Sequence, residues 1–463
     1  MTTQQAAPTH SAEPSPVITN RRQLLDFLVR GARPREDWGI GLETEKLVVD
    51  AVTGEAAGYL RTRELLERLI GVGGWQGMYE QEQLIGLKGK RSSVTLEPGG
   101  QLELSGKFCC DIRCSWRDLR RYRNHILQLG RELGLVFLGL GTQPFTPLEQ
   151  IDWLPKDRYR IMARYMLKTG DMGQRMMKQT AGTQVNLDFS DAADCARKLR
   201  LAQRLSAVSY ALFANSPLLE GKPSGYLSTR GEIWSRTDAD RCGLITSLLD
   251  PAGGLDDFVE YALDVPLYFL ERDGQYLDMT GSRFTFRQFL DSGRQGTQAT
   301  VADWNLHLST LFPEVRLRPQ IEVRSADSLP PDFTPAVAAL YKGLLYTEEG
   351  LQGAEGLLLG LDAGQFAALY RASWRDGLQA AFPGGGTLRE VVAELLQLAR
   401  NSLHQQFLAG HSGDDEGSFL DAVAEIVASG ETLAERLLRR WPTQRQEQVA
   451  TLVAHCGYDD QPF

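Results

Sequence analysis

The stretch Gly39-Ile-Gly-Leu-Glu43-Thr-Glu45-Lys-Leu-Val48 sets two carboxylates on alternate residues within a mostly aliphatic run. That period of two predicts a strand, because successive side chains leave opposite faces of a pleated backbone. Three distant stretches repeat the pattern: Ser93-Val-Thr-Leu-Glu97-Pro-Gly-Gly-Gln101-Leu-Glu103-Leu-Ser105, Thr183-Gln184-Val-Asn186-Leu-Asp188-Phe189 and Val315-Arg-Leu-Arg-Pro-Gln320-Ile-Glu322-Val-Arg324. Each reads as one strand. Glu43 with Glu45, Gln184 with Asn186 and Asp188, and Glu322 with Arg324 then project together, while Val185, Leu187, Phe189, Ile321 and Val323 face a core. Any one stretch alone is an ordinary half-buried strand with a solvated outer face. Four together, rich in acceptors and short of Lys and Thr, predict a single acidic sheet face.

Polar-in, apolar-out alternation suits a sheet covered on one side only, so the expected class is α+β with a mostly antiparallel sheet. Pro319 lacks a ladder donor and places its strand at an edge or at a bulge. A helix over Arg21–Arg30 leads into the first strand. A longer one follows the third strand, with Ser190 and Asp191 as caps and Cys195, Leu199, Ala202, Leu205 and Val208 at helical spacing. Capping boxes at Thr387 with Glu390 and Thr432 with Glu435 mark a helical end to the chain. The expected organisation is a disordered tail over 1–20, a catalytic sheet domain over 21–360 and a helical region over 361–463 packed on it.

The chain has 463 residues, 24% of them charged, and a net charge of -9. An acidic balance argues against nucleic acid as a partner, since phosphate binding rests on clustered Lys and Arg. No run approaches the ~18 apolar residues of a membrane span. Six cysteines are too sparse for a disulfide scaffold and form no zinc or redox spacing, even where Cys109, Cys110 and Cys114 cluster. A cytoplasmic location is expected from this usage, with monomer and homodimer both open.

Carboxylates crowded on one face repel one another, and divalent cations resolve that conflict. Hard oxygen donors without clustered His or Cys favour magnesium, with manganese as the alternative, and magnesium in turn implies a phosphate. Gly86-Leu-Lys88-Gly-Lys90-Arg91 is not a phosphate loop by its order, and two readings stand for it: Lys88 and Lys90 touch nucleotide phosphates, or they form a solvated turn. No nucleophile motif announces covalent catalysis. Electrostatic catalysis on a phosphoryl group is the inference.

The motifs GLETEK (41–46), SVTLEPGGQLELSG (93–106), QVNLDFSDAADCARK (184–198), ALFANSPLLEGKPSGYLSTRGEIWSRTDADR (211–241), YALDVPLYF (261–269), FTFRQFL (284–290) and LFPEVRLR (311–318) resemble the plant-type glutamate–cysteine ligases, shared with proteobacteria. The resemblance implies a curved antiparallel funnel of the glutamine synthetase-like kind with helices outside. It implies formation of γ-glutamylcysteine from glutamate and cysteine through a γ-glutamyl phosphate, with ATP as co-substrate, as the first step of glutathione biosynthesis. By that likeness Glu43, Glu45, Glu97, Glu103 and Glu322 hold metal, joined by Gln184 and Asn186. Glu322 and Arg324 are catalytic, with Arg324 reaching the transferred phosphoryl group, or else Arg324 is a strand salt bridge. Arg158 and Arg230 anchor glutamate carboxylate, Trp234 lines that pocket, and Tyr268 touches cysteine or is a core tyrosine. Met279 stands where plant members carry a regulatory cysteine, and Gln179 where they carry arginine. Two alternatives remain: a glutamate carboxylate–amine ligase with another amine acceptor, and a non-catalytic binding protein of the same fold.

Overall fold

Glu43 and Glu45 lie near the middle of the main sheet. In the computed structural model, which describes residues 15–294 and 296–458, nine strands form it. They are β1 (Ile40–Asp50), β2 (Gln76–Glu80), β3 (Gln83–Lys88), β4 (Ser93–Leu96), β5 (Leu102–Ser105), β6 (Leu135–Leu138), β7 (Gly182–Leu187), β8 (Val315–Leu317) and β9 (Ile321–Asp327). The order across the sheet is β8-β9-β7-β1-β5-β4-β3-β2, with β6 paired to the end of β1. Every pairing within it is antiparallel, and the fold is the expected mixture of helices with an antiparallel sheet.

Two of the predicted strands are hairpins. Residues 93–105 divide into β4 and β5 around Glu97–Gln101, where Gly100 has φ of +84° and the Glu97 and Gly100 amides donate to the Gln101 and Glu97 carbonyls. The alternation survives the turn because its five residues preserve the parity of Glu97, Gln101 and Glu103. Likewise Val315–Arg324 folds back at Arg318–Gln320, since Pro319 cannot donate to a ladder, and this leaves β8 as the sheet edge. The bulge sits one strand in, between Val323 and Ala326 of β9.

The helix Ala192–Leu212 is capped by Asp191, whose side chain accepts from the Ala193 and Asp194 amides, and it packs behind β9. Helix Thr334–Leu345 is buried along its whole length behind the sheet. Both capping boxes form, at Thr387 and at Thr432. One apolar core joins Leu24, Leu42, Val185, Leu205, Val323, Tyr341, Trp374 and Leu395, so it crosses residue 360 without a break. The described end of the chain is tied to the sheet as well: the Tyr458 amide donates to the Phe137 carbonyl and the Gly139 amide to that of Cys456.

Most of the expected tail over 1–20 lies outside the described residues. Its last part is ordered: the Ile18 amide donates to the Ala299 carbonyl, the Val301 amide to that of Pro16, and Ile18 is buried. The first helix spans Arg22–Val29. On the core side of β1 the aliphatic expectation fails at Lys46, which is fully buried between the rings of Tyr122 and Tyr458 and donates to Thr44 Oγ1 at 2.8 Å. Among the described residues no helix is long and apolar enough to cross a membrane.

Candidate active site

Register brings the predicted acids onto one face. Glu43 pairs with Ser105 on one side and Gln184 on the other, Glu45 pairs with Glu103, and Glu322 pairs with Asn186. Residues paired across an antiparallel ladder share a face. Their side chains meet: Asn186 Nδ2 donates to Glu43 Oε1 at 2.9 Å, Gln184 Nε2 to Glu45 Oε1 at 3.0 Å, and the Gly182 amide to Glu45 Oε2 at 2.6 Å. Ser105 Oγ donates to Glu103 Oε1 at 2.7 Å. Asp188, at the end of the same row, instead braces the start of β1 by accepting from the Gly39 amide at 2.9 Å.

The face divides electrically into two. Burial, then Glu103 and Glu322, push the Glu43 carboxyl up to about 8. Burial, then Glu97 and Glu45, push Glu103 up to about 8 as well. Glu45 and Glu97 are raised chiefly by burial. Glu322 goes the other way: burial raises it, but Arg316 and then Arg324 outweigh that and hold it down to about 2. Arg316 grips both its oxygens, with Nε to Oε2 at 2.9 Å and Nη2 to Oε1 at 2.9 Å, and Arg324 adds a further bond to Oε1.

Among the described residues no three His, Cys, Asp or Glu side chains stand together as a ready-made metal site. The donor chemistry nevertheless fits a hard divalent cation. Four half-buried carboxylates on neighbouring segments raise one another's proton affinity, and a cation on their oxygens relieves that strain. Glu322 is the exception, because its oxygens already carry guanidinium partners.

The residues expected to anchor substrates share a different signature. Arg158 Nε, Arg230 Nε and Nη1, Trp234 Nε1 and the Tyr268 hydroxyl are all buried with no hydrogen-bond partner. Buried donors are rarely left so, and of these Arg230 and Trp234 line one cavity together with Arg324. Arg230 is 3% exposed and spends one bond on the Arg324 carbonyl at 2.8 Å. Arg230 and Arg324 each stand 5.8 Å from the Trp234 ring centre. Arg158, in the first turn of helix Asp157–Thr169, lies over Phe269. Tyr268 is deep in the core, with Arg241 3.7 Å from its ring centre.

Arg324 makes the expected salt bridge to Glu322, and it also lines the cavity holding Arg230 and Trp234. Lys88 and Lys90 are exposed where β3 leaves for β4. Lys88 shares the ladder row of Ser93, Ser105 and Glu43 but stands three strands from Glu43. Three residues escaped the sequence reading. Arg316 follows the alternation of 315–318 and was legible, and Glu314, beside Arg230, extends that alternation one step upstream; Lys156, whose burial lowers its pKa against the pull of Glu97, carries no pattern.

Comparison with known proteins places this geometry. Residues 39–455 match the model of glutamate–cysteine ligase family 2 (GCS2). The chain is 38% identical over 445 residues to chloroplastic glutamate–cysteine ligase B of Oryza sativa subsp. japonica, covering 96% of this chain and 88% of the relative. It is 39% identical over 438 residues to chloroplastic glutamate–cysteine ligase of Brassica juncea, covering 94% and 83%. The crystal structure of a Francisella tularensis glutamate–cysteine ligase in complex with AMP superposes with a TM-score of 0.55 at 12% identity, covering 90% of this chain and 88% of that one. The relatives also correct one expectation. The plant enzymes are chloroplastic, which overturns the cytoplasmic location inferred from cysteine usage, since sparse free thiols mark a reducing environment and not a particular compartment. With a match over nearly its whole length and the acidic face in register, the chain belongs to glutamate–cysteine ligase family 2.

Proposed function

We propose that the acidic face of β1, β5, β7 and β9, with the pocket beside it, is the catalytic centre of an ATP-dependent ligase joining the γ-carboxylate of glutamate to the amine of cysteine. The observation that carries this reading is the meeting of two complementary environments beside one sheet: carboxylates raised by burial and by one another, and buried guanidinium N–H groups with no hydrogen-bond partner. Magnesium held by Glu43, Glu45, Glu97 and Glu103, with Gln184 and Asn186 alongside, would neutralise nucleotide phosphates. Arg324, fixed by Glu322, is set to stabilise charge on the phosphoryl group as it moves to the γ-carboxylate. Arg230 and Arg158 offer unpaired N–H groups to substrate carboxylates, and Trp234 lines the pocket that holds Arg230. No enzyme nucleophile is needed, because the γ-glutamyl phosphate is itself the activated species attacked by the cysteine amine.

The finer shape, a funnel of the glutamine synthetase-like kind, is part of the same reading and is supported by the one-sided helical cover of the sheet. We further take residues 21–360 as the catalytic unit and 361–463 as its buttress. ADP release is to be measured with ATP, magnesium and glutamate, adding cysteine, 2-aminobutyrate, other amines or no amine, with product mass determined. Cysteine-dependent γ-glutamylcysteine is the expected result. Turnover only with another amine overturns the acceptor, and absence of any turnover overturns the ligase.

A further inference from the structure

Asp327 ends β9, is 1% exposed and has no part in the proposed chemistry. From its contacts we propose that it is the positioning residue of Arg230, fixing that substrate-carboxylate anchor through two serine hydroxyls. The inference rests on the ligase reading above and adds to it the group that sets the anchor's geometry.

Three donors converge on the Asp327 carboxylate. The Asn215 amide donates to Oδ2 at 2.8 Å, Ser216 Oγ to the same oxygen at 2.7 Å, and Ser228 Oγ to Oδ1 at 2.9 Å. Each hydroxyl has one proton to give, and an ionised carboxylate can only accept it. With both protons so committed, the serine lone pairs face the other way. There Ser216 Oγ accepts from the Arg230 amide at 3.2 Å and Ser228 Oγ from the Gly231 amide at 3.3 Å. Asp327 thereby orients both hydroxyls and, through them, the first turn of helix Thr229–Ser235, which carries Arg230 and Trp234 into one cavity. The backbone closes the same joint: the Ser216 amide donates to the Leu227 carbonyl at 3.1 Å and the Thr229 amide to the Ser216 carbonyl at 3.0 Å. Burial raises the Asp327 carboxyl, and Arg230 is the first group to draw it back down. That charge reaches the arginine without using the N–H groups kept for substrate, since Arg230 Nε and Nη1 have no hydrogen-bond partner.

The test is calorimetric binding of L-glutamate and, separately, of a non-hydrolysable ATP analogue, each with magnesium. Asp327→Asn sets a donor where an acceptor stood and should weaken glutamate roughly 10- to 100-fold, the range of one hydrogen bond to a charged group, with nucleotide affinity unchanged. Ser216→Ala cuts the link to the Arg230 amide and should act in the same direction. Asn215→Ala loses side-chain bonds to the Gly139 and Ser328 carbonyls but keeps its amide on Asp327. It should lower the melting temperature and leave glutamate affinity as in wild type. On an Arg230→Lys background Asp327→Asn should add little, because the fork it positions is already gone. Unchanged glutamate affinity in folded Asp327→Asn overturns the proposal, and if that variant does not fold, unchanged affinity in Ser216→Ala overturns it equally. Full additivity with Arg230→Lys does so too, as does an equal loss in Asn215→Ala, which would make the network a general support. Glutamate binding decides these outcomes without turnover, so cysteine-dependent γ-glutamylcysteine formation by wild type tests the ligase reading separately.

Discussion

Arg324 is the residue on which the two halves of the site meet. Its guanidinium is fixed by Glu322 and Gln184 and lies over Trp234 and Phe312, so its geometry is set before any substrate arrives. Lysine in its place keeps the charge but loses the planar fork. Arg324→Lys should therefore lower kcat by about 10²- to 10³-fold with little change in melting temperature, read by steady-state kinetics beside thermal denaturation. Behind it, Arg316 and Glu322 form a pair with side chains only 11% and 4% exposed. Arg316→Met leaves Glu322 with Arg324 as a guanidinium partner but with one oxygen unsatisfied, so it should destabilise by about 1–3 kcal/mol in chemical denaturation. The acids were legible because alternation alone assigns them to a face. The setting of Glu314 was not, since alternation gives its parity with Arg316 but not its hydrogen bonds to Tyr210, Tyr370 and Ser325, partners no local pattern predicts.

The β4–β5 hairpin shows what periodicity can and cannot convey about an element. Parity runs through its turn, so the face of Glu97 and Glu103 was readable while the reversal between them was not, although Pro98-Gly99-Gly100 is the chemistry of a turn. The turn is also pinned from outside. Gln101 Nε2 donates to the carbonyls of Met177 and Thr180 at 3.1 and 2.8 Å, and a Cβ on Gly99 would come 2.3 Å from the Lys178 carbonyl oxygen. That contact is with backbone, which cannot turn aside. Gly99→Ala should cost about 1–3 kcal/mol, the usual range for overpacking, and should shift Glu97 enough to raise the magnesium concentration needed for half-maximal activity. An unchanged melting temperature with unchanged magnesium response would show that the turn has room to move.

Across the whole molecule the sheet gathers charges that water alone would keep apart, and the cost of doing so depends on pH. The Glu43 and Glu103 carboxyls have an ordinary value of 4.5 and are pushed up to about 8 in the fold. The folded state therefore holds these protons more tightly than the unfolded chain. Their contribution to stability is fully present below about pH 4.5 and is lost as pH rises through about 8. Buried Lys46, lowered by burial from 10.5 to about 7, acts in the opposite sense, its penalty easing only as pH rises above about 7. Between pH 5 and 7 the carboxylates act without that offset, so metal-free protein should lose melting temperature steadily over this interval. A cation on the same oxygens competes with the protons and stabilises the state that has lost them. The rise in melting temperature on adding magnesium to chelator-treated protein should accordingly be small at pH 5 and grow towards pH 7. Glu43→Gln, which carries no proton to lose there, should flatten both trends. A magnesium effect independent of pH, or one that survives intact in Glu43→Gln, would place the cation somewhere other than on this face.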